Sequence, residues 1–228
     1  MTTIALLGGS FNPVHPGHFE TGAFIHQECA GVDEVWFLFS MNAFKDPAAY
    51  APLHHRMAMG HVLAKHYPDK PFVMSDIEES IGSHRTCDVL NGLKARFPDH
   101  KFIWTMGADN LVTFHQWENY DQIINTFPIA IIDRPGYTDQ AKNSITAKTY
   151  PHLNIASAKD FATAEKGWCF LKNPPLNMSS TDVLKRMRAG ERKFAGPMQD
   201  VVDYILQQGL YNIENAPAQT PGAPAPKP

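Results

Sequence analysis

Cysteine is scarce in this chain. Its 228 residues include only Cys29, Cys87 and Cys169, scattered singly. That pattern excludes a disulfide framework and a zinc knuckle, and it fits reduced thiols in a cytoplasmic setting. An excess of charge of one sign is missing too. Twenty Lys and Arg against 23 Asp and Glu leave a net charge of -3, unlike the basic surface of a dedicated nucleic-acid binder. One positive pocket for a small anion remains compatible with that balance. No apolar run approaches a bilayer span, so no membrane partner is expected. No basic segment followed by an apolar core precedes the first apolar run, so no signal peptide is expected either. Two glycine fingerprints are also absent. No Gly-Lys-Ser/Thr follows Gly8 and Gly9 at Walker A spacing, and Gly8, Gly9 and Gly17 cannot be arranged as G-x-G-x-x-G. The second absence argues against a dinucleotide-dependent oxidoreductase.

What is present reads as an ordinary globular chain, 43% hydrophobic and 19% charged. Short apolar runs at Ile4–Leu7, Val32–Phe39, Phe72–Asp76, Lys101–Gly107, Pro128–Asp133 and Gly167–Leu171 predict six strands. Between them Gly17–Ala30, Leu53–His66, Ser83–Phe97 and Asn110–Thr126 carry helical segments, with Phe19, Ala23, Phe24 and Ile25 on the inner face of the first. Alternating strands and helices predict a Rossmann-like α/β fold, a parallel sheet with helices on both faces. Two further helices, from Ser179 and from Met198 to Gln208, add a small C-terminal helical part. Between residues 135 and 166 only Ala156–Glu165 has helical character. One domain over residues 1–213 is expected. The Ala- and Pro-rich tail, 214–228, buries too little to offset its ordering entropy and is expected to be disordered.

The most informative stretch is Ile4 to His18, IALLGGSFNPVHPGH. An apolar strand, a Gly8-Gly9-Ser10 turn and a helix opening at Pro16-Gly17-His18 make a geometry that holds phosphate, because free N–H groups and the helix dipole face the anion. His15 and His18 stand three apart at its mouth. The second such stretch is Asn177-Met178-Ser179-Ser180-Thr181-Asp182-Val183, hydroxyl side chains at a helix start.

Gly9, Phe11, Pro13, His15, Gly17 and His18 match every fixed position of G-x-F-x-P-x-H-x-G-H, the signature of the nucleotidylyltransferase superfamily, which the chain therefore resembles. The serine stretch resembles that superfamily's I-S-S-T-x-I-R, with Leu184 where its arginine stands and Lys185 and Arg186 directly after. Three segments narrow the likeness to bacterial nicotinate mononucleotide adenylyltransferases. Gly107-Ala108-Asp109-Asn110-Leu111 with Phe114 and Trp117 resembles their G-A-D-x-L-x-x-F-x-x-W. Thr86-Cys87-Asp88-Val89-Leu90 resembles T-x-D-T-L, with Val89 for threonine, and Asp133-Arg134-Pro135-Gly136 resembles D/R-P-G.

The resemblance implies transfer of the adenylyl group of ATP to nicotinate mononucleotide, giving deamido-NAD and pyrophosphate, with Mg²⁺ carried by ATP and water. It implies His15 and His18 as the catalytic pair on the α- and β-phosphates. It extends the ATP site over Gly8, Gly9, Ser10, Phe11, Gly107, Asp109, Ser179, Ser180 and Thr181, with Lys185 or Arg186 as the cation. Asn12, Lys45, Thr86 and Trp117 fall to the acceptor, Trp117 stacking on its ring. Bland readings stand beside these: core packing for Trp117, a solvated lysine for Lys45 and a helix cap for Asp109. No protein nucleophile is needed, since the acceptor phosphate attacks the α-phosphorus in line.

Overall fold

A computed structural model describes residues 1–40, 49–172 and 178–213. Six strands form one sheet: β1 (Thr2–Gly9), β2 (Glu34–Phe39), β3 (Phe72–Ser75), β4 (His100–Gly107), β5 (Pro128–Ile132) and β6 (Gly167–Leu171). All neighbours pair in parallel, in the order β3-β2-β1-β4-β5-β6. The helices are α1 (Pro16–Glu28), α2 (Leu53–Ala64), α3 (Ile77–Ile81), α4 (Thr86–Arg96), α5 (Ala108–Thr113), α6 (Tyr120–Thr126), α7 (Thr138–Lys142), α8 (Ile145–Thr149), α9 (Ser180–Arg188) and α10 (Met198–Gln207). This is the Rossmann-like arrangement the alternation predicts.

The strands are continuous apolar runs because both faces of the sheet are covered. Successive residues divide between two cores with a period of two. Ala5, Val35, Phe37, Ile103 and Ala130 join a core completed by α1, α2, α9 and α10. Ile4, Leu6, Phe102, Trp104 and Ile129 join the opposite core, completed by α4, α5 and α6. On α1 the buried stripe is Phe19, Gly22 and Ile25, while Ala23 and Phe24 sit at its flank, one step round from the expected face. Gly22 is buried because the Phe37 ring lies against it; a Cβ there would stand 2.9 Å from that ring.

Between β5 and β6 the helical character expected over Ala156–Glu165 is reduced to a 3-10 turn at Ala158–Ala162. The short helices α7 and α8 lie where none was expected. Each is five residues long, too short for an amphipathic period to show in sequence. The tail from 214 and Lys45 lie outside the described residues. Among the described residues no helix is long and apolar enough to cross a membrane.

The strand order reverses between β1 and β4. From β1 the chain runs outward through β2 and β3, then crosses back to β4 on the other side of β1. A crevice opens at such a switch, beyond the carboxyl ends of the strands.

Arg56 on α2 fixes those ends. It is fully buried, and starts the stripe Arg56, Met59, Gly60, Leu63 that packs on the sheet. Its Nε donates to the Ala51 carbonyl at 2.9 Å; its Nη1 donates to Ser10 O at 2.6 Å and Ser40 O at 2.9 Å. One guanidinium thus holds the chain where it leaves β1, where it leaves β2 and where it enters α2. Arg56→Met keeps the volume but strands those carbonyls, at a cost of roughly 3 kcal/mol. Urea unfolding is expected to show that loss as a lowered midpoint; a wild-type midpoint would contradict the role given to Arg56.

Candidate active site

A cleft of about 850 Å³ lies over the β1/β4 switch. Its walls come from five places, one of them the pair Ala49 and Tyr50 ahead of α2. Ser10, Asn12, His15, Gly17 and His18 follow β1; Met106 and Gly107 end β4; Asp133, Arg134, Pro135 and Tyr137 follow β5; Ser179, Ser180, Thr181, Leu184 and Arg188 belong to the start and one face of α9.

The wall that follows β1 and the wall at α9 are tied directly. The Ser180 hydroxyl donates to the Pro13 carbonyl at 2.8 Å, across 167 residues of sequence. The Ser179 hydroxyl caps α9, accepting from the Asp182 N–H at 3.1 Å and donating to its carboxylate at 2.7 Å. The N–H groups of Ser180 and Thr181 lie in the first helical turn, where no intrahelical acceptor exists. Two helix N-termini therefore meet at the cleft, that of α9 and that of α1. The α1 start has Pro16 at its first position, His15 as its cap and no acidic residue in its first turn. Both ends favour an anion between them.

His15 and His18 stack with ring centroids 3.7 Å apart. The His15 backbone N–H donates to His18 Nδ1 at 3.1 Å. A neutral His18 ring with an accepting Nδ1 carries its proton on Nε2. Burial, with Arg134 nearby, pushes the His15 pKa down to about 4. Burial first, then His15 and Arg134, holds His18 well below the usual imidazole range. Both rings are thus neutral hydrogen-bonding groups at pH 7, and an arriving phosphate would favour their charged forms.

Gly8, Gly9, Phe11 and Asp109, expected at the ATP site, do not line the cleft. A Cβ on Gly8 would come within 2.7 Å of the Trp104 ring, and one on Gly9 within 3.0 Å of Phe11. Phe11, with a left-handed backbone at φ 45°, is buried and packs edge-on to His18 at 4.9 Å. These three shape the turn and support the histidine rather than line the cleft. Asp109 likewise pairs with Arg134, its Oδ1 3.3 Å from Nε. Gly107 makes that pairing possible, since a Cβ there would stand 2.2 Å from the Asp109 carboxylate and 2.7 Å from Arg134.

Neither Lys185 nor Arg186 lines the cleft. Arg186 is turned away into a bidentate pair with Glu191, at 2.7 and 2.5 Å, and lies 4.2 Å over the Phe194 ring. Asn12 lines the cleft and is held firmly. Its Oδ1 accepts from the Ala51 N–H at 3.0 Å and from the Tyr211 hydroxyl at 2.9 Å, while its Nδ2 donates to Ala49 O at 3.2 Å.

Thr86 and Trp117 are outside the cleft wall but are brought toward each other. The neighbouring Arg85 pairs with Glu118 at 2.8 Å, and the Cys87 thiol donates to Gln122 at 3.3 Å. Trp117 is half-buried against Phe114, so packing and an accessible ring edge coexist.

Three cations went unassigned in the sequence. Arg134 lies in the segment resembling D/R-P-G, which by itself gives it no role. Arg188 follows Leu184 at one helical turn, and that spacing was the readable signal. Arg56 was readable only as a cation at a stripe position.

A cytidylyltransferase-like family model matches residues 6–186. A protein of Methylorubrum extorquens named "Probable nicotinate-nucleotide adenylyltransferase" is 39% identical over 187 residues, covering 80% of this chain and 99% of that relative. One of the same name from Cereibacter sphaeroides is 36% identical over 180 residues, covering 79% and 95%. Among solved structures, Plasmodium falciparum nicotinic acid mononucleotide adenylyltransferase complexed with NaAD superposes with a TM-score of 0.69 over 94% of this chain and 99% of that one, at 19% identity. That last likeness speaks for the fold alone.

The buried histidine gives a pH-dependent stability whose sign is fixed. Between its unfolded value of 6.5 and its folded value of about 4 the unfolded chain binds more protons, so stability falls as pH drops through that window. Glu78 opposes it, because burial raises its carboxyl to about 7 and the folded state takes that proton first. The wild type minus His15→Asn difference isolates the histidine. That difference is expected to shift against the wild type by about 3 kcal/mol between pH 7 and pH 4 and to be constant above pH 7. A pH-independent difference in thermal unfolding would contradict a buried neutral His15.

Proposed function

This chain belongs to the cytidylyltransferase-like family, and within it to the nicotinate-nucleotide adenylyltransferases, and we propose that it joins ATP and nicotinate mononucleotide into deamido-NAD with release of pyrophosphate. The observation that carries this reading is the convergence of the histidine turn and the α9 start on one cleft, joined by the Ser180–Pro13 bond.

The chemistry follows from positioning. The acceptor phosphate attacks the α-phosphorus from the side opposite the leaving oxygen; one P–O bond forms, one breaks, and the electron pair leaves with pyrophosphate. Charge grows on the phosphate oxygens during that step, and groups aimed at it in advance lower the barrier. His18 Nε2–H, the first-turn N–H groups of Ser180 and Thr181, and His15 are such groups. Arg56 keeps them in register by holding the Ser10 carbonyl.

The acceptor would lie toward Thr86 and Trp117, its ring on the tryptophan face and its carboxylate on donors near Thr86. Asn12, which lines the cleft, would serve the acceptor. The substrate is the magnesium complex of ATP. Among the described residues no group of three or more His, Cys, Asp or Glu is placed to hold a metal. The magnesium would be carried on phosphate oxygens and water, as Mg²⁺ is when it keeps several waters. Three free, buried cysteines support a cytoplasmic setting.

Pyrophosphate release measured with Mg·ATP and a panel of acceptors tests the reading. Release is expected with nicotinate mononucleotide. No release with any pyridine mononucleotide would remove it, and release only with a phosphopantetheine acceptor would replace it. His18→Ala is expected to cut turnover by about 10²-fold or more; near-wild-type turnover would contradict the role of that ring.

A further inference from the structure

Among the described residues, the cleft wall leaves one arginine uncommitted. Of the arginines lining it, Arg134 is already paired with Asp109 at 3.3 Å. Arg188 makes no ion pair or hydrogen bond among the described residues, and it is exposed at the cleft. Its place on α9 explains why it faces inward. Thr181, Leu184 and Arg188 are spaced three and four apart, so they share one helical face, and all three line the cleft. Lys185 is a hundred degrees round from Leu184 by helix geometry, and Arg186 is consumed by Glu191 and Phe194.

Leu184 is only 7% exposed and plugs the wall next to Ser180 and Thr181 with an apolar side chain. The nearest charge on that face stands four residues later, about 6 Å farther along the helix axis. Side chains on a helix lean toward its N-terminus. The guanidinium of Arg188 therefore reaches back over Leu184 toward the α9 start, and ends farther from the histidines than a cation at position 184 would.

We propose that Arg188 binds the terminal phosphates of the triphosphate, and so the departing pyrophosphate, as the cation of this site. The assignment rests on the adenylyl-transfer reading above. The histidines and the α9 N–H groups lie nearest the reacting phosphorus, while Arg188 takes the far end of the chain, where the leaving group collects its charge. It acts as a bidentate donor to phosphate oxygens, a task a planar guanidinium performs better than an ammonium.

Arg188→Gln is exposed and should fold as the wild type does. In that variant the KM for Mg·ATP and the inhibition constant for pyrophosphate are both expected to rise about tenfold or more, while the KM for nicotinate mononucleotide stays within about twofold. Arg188→Lys is expected to recover part of the loss. Calorimetric binding of inorganic pyrophosphate with magnesium gives the same comparison without turnover, with about tenfold weaker binding expected for Arg188→Gln. Active wild type with unchanged ATP and pyrophosphate constants in Arg188→Gln overturns this assignment alone. An ATP effect in Arg186→Ala and not in Arg188→Gln also overturns it. Inactive wild type overturns the functional reading, and the calorimetric comparison then decides Arg188 by itself: equal pyrophosphate affinity in both proteins sinks it.

Discussion

A single hydrogen bond, from the Ser180 hydroxyl to the Pro13 carbonyl, joins the two ends of this molecule's chemistry. On its own such a bond contributes about 1 kcal/mol. Its importance is geometric, because it sets the start of α9 beside the start of α1. Each helix offers N–H groups that its own backbone cannot satisfy. Brought together, those groups leave a concave surface that wants an anion. The sheet makes the meeting possible, since β1 and β4 end side by side where the strand order reverses.

The same region carries an unusual concentration of buried polar groups. Arg56 is sealed in the core beneath the turn, and His15 and His18 are stacked above it. These choices oppose ordinary core packing, yet they suit a phosphate site. The arginine donates from Nε and Nη1 to three backbone carbonyls at the strand ends and the α2 start. The histidines stay neutral, so the empty cleft is not burdened by two more cations, and Nε2–H of His18 is ready to donate. Asn12 links this centre to the C-terminal segment through Tyr211, whose backbone sits in the left-handed region at φ 63°.

Much of this was legible from the residues alone. Six apolar runs became six parallel strands because burial on both faces leaves an unmistakable mark. The serine cap of α9 and the histidine turn were readable because helix starts demand particular residue types. Other features were not legible, for stated reasons. A five-residue helix such as α7 gives no period to detect. Whether a glycine such as Gly8 meets a ligand or a tryptophan ring depends on β4, which is distant in sequence. Arg186 and Arg188 are equivalent as letters; only the direction of the helical face separates the one held by Glu191 from the one facing the cleft. The burial of Arg56 leaves no mark in sequence because its acceptors are backbone carbonyls.

The central claim is that the triphosphate lies between the α1 and α9 starts with its α-phosphorus open to the acceptor side. A crystal structure with a non-hydrolysable ATP analogue and magnesium tests it most directly. The account predicts α- or β-phosphate oxygens within hydrogen-bond distance of His18 Nε2 and of the Ser180 or Thr181 N–H. A phosphate chain bound elsewhere, with both helix starts facing only water, would contradict it.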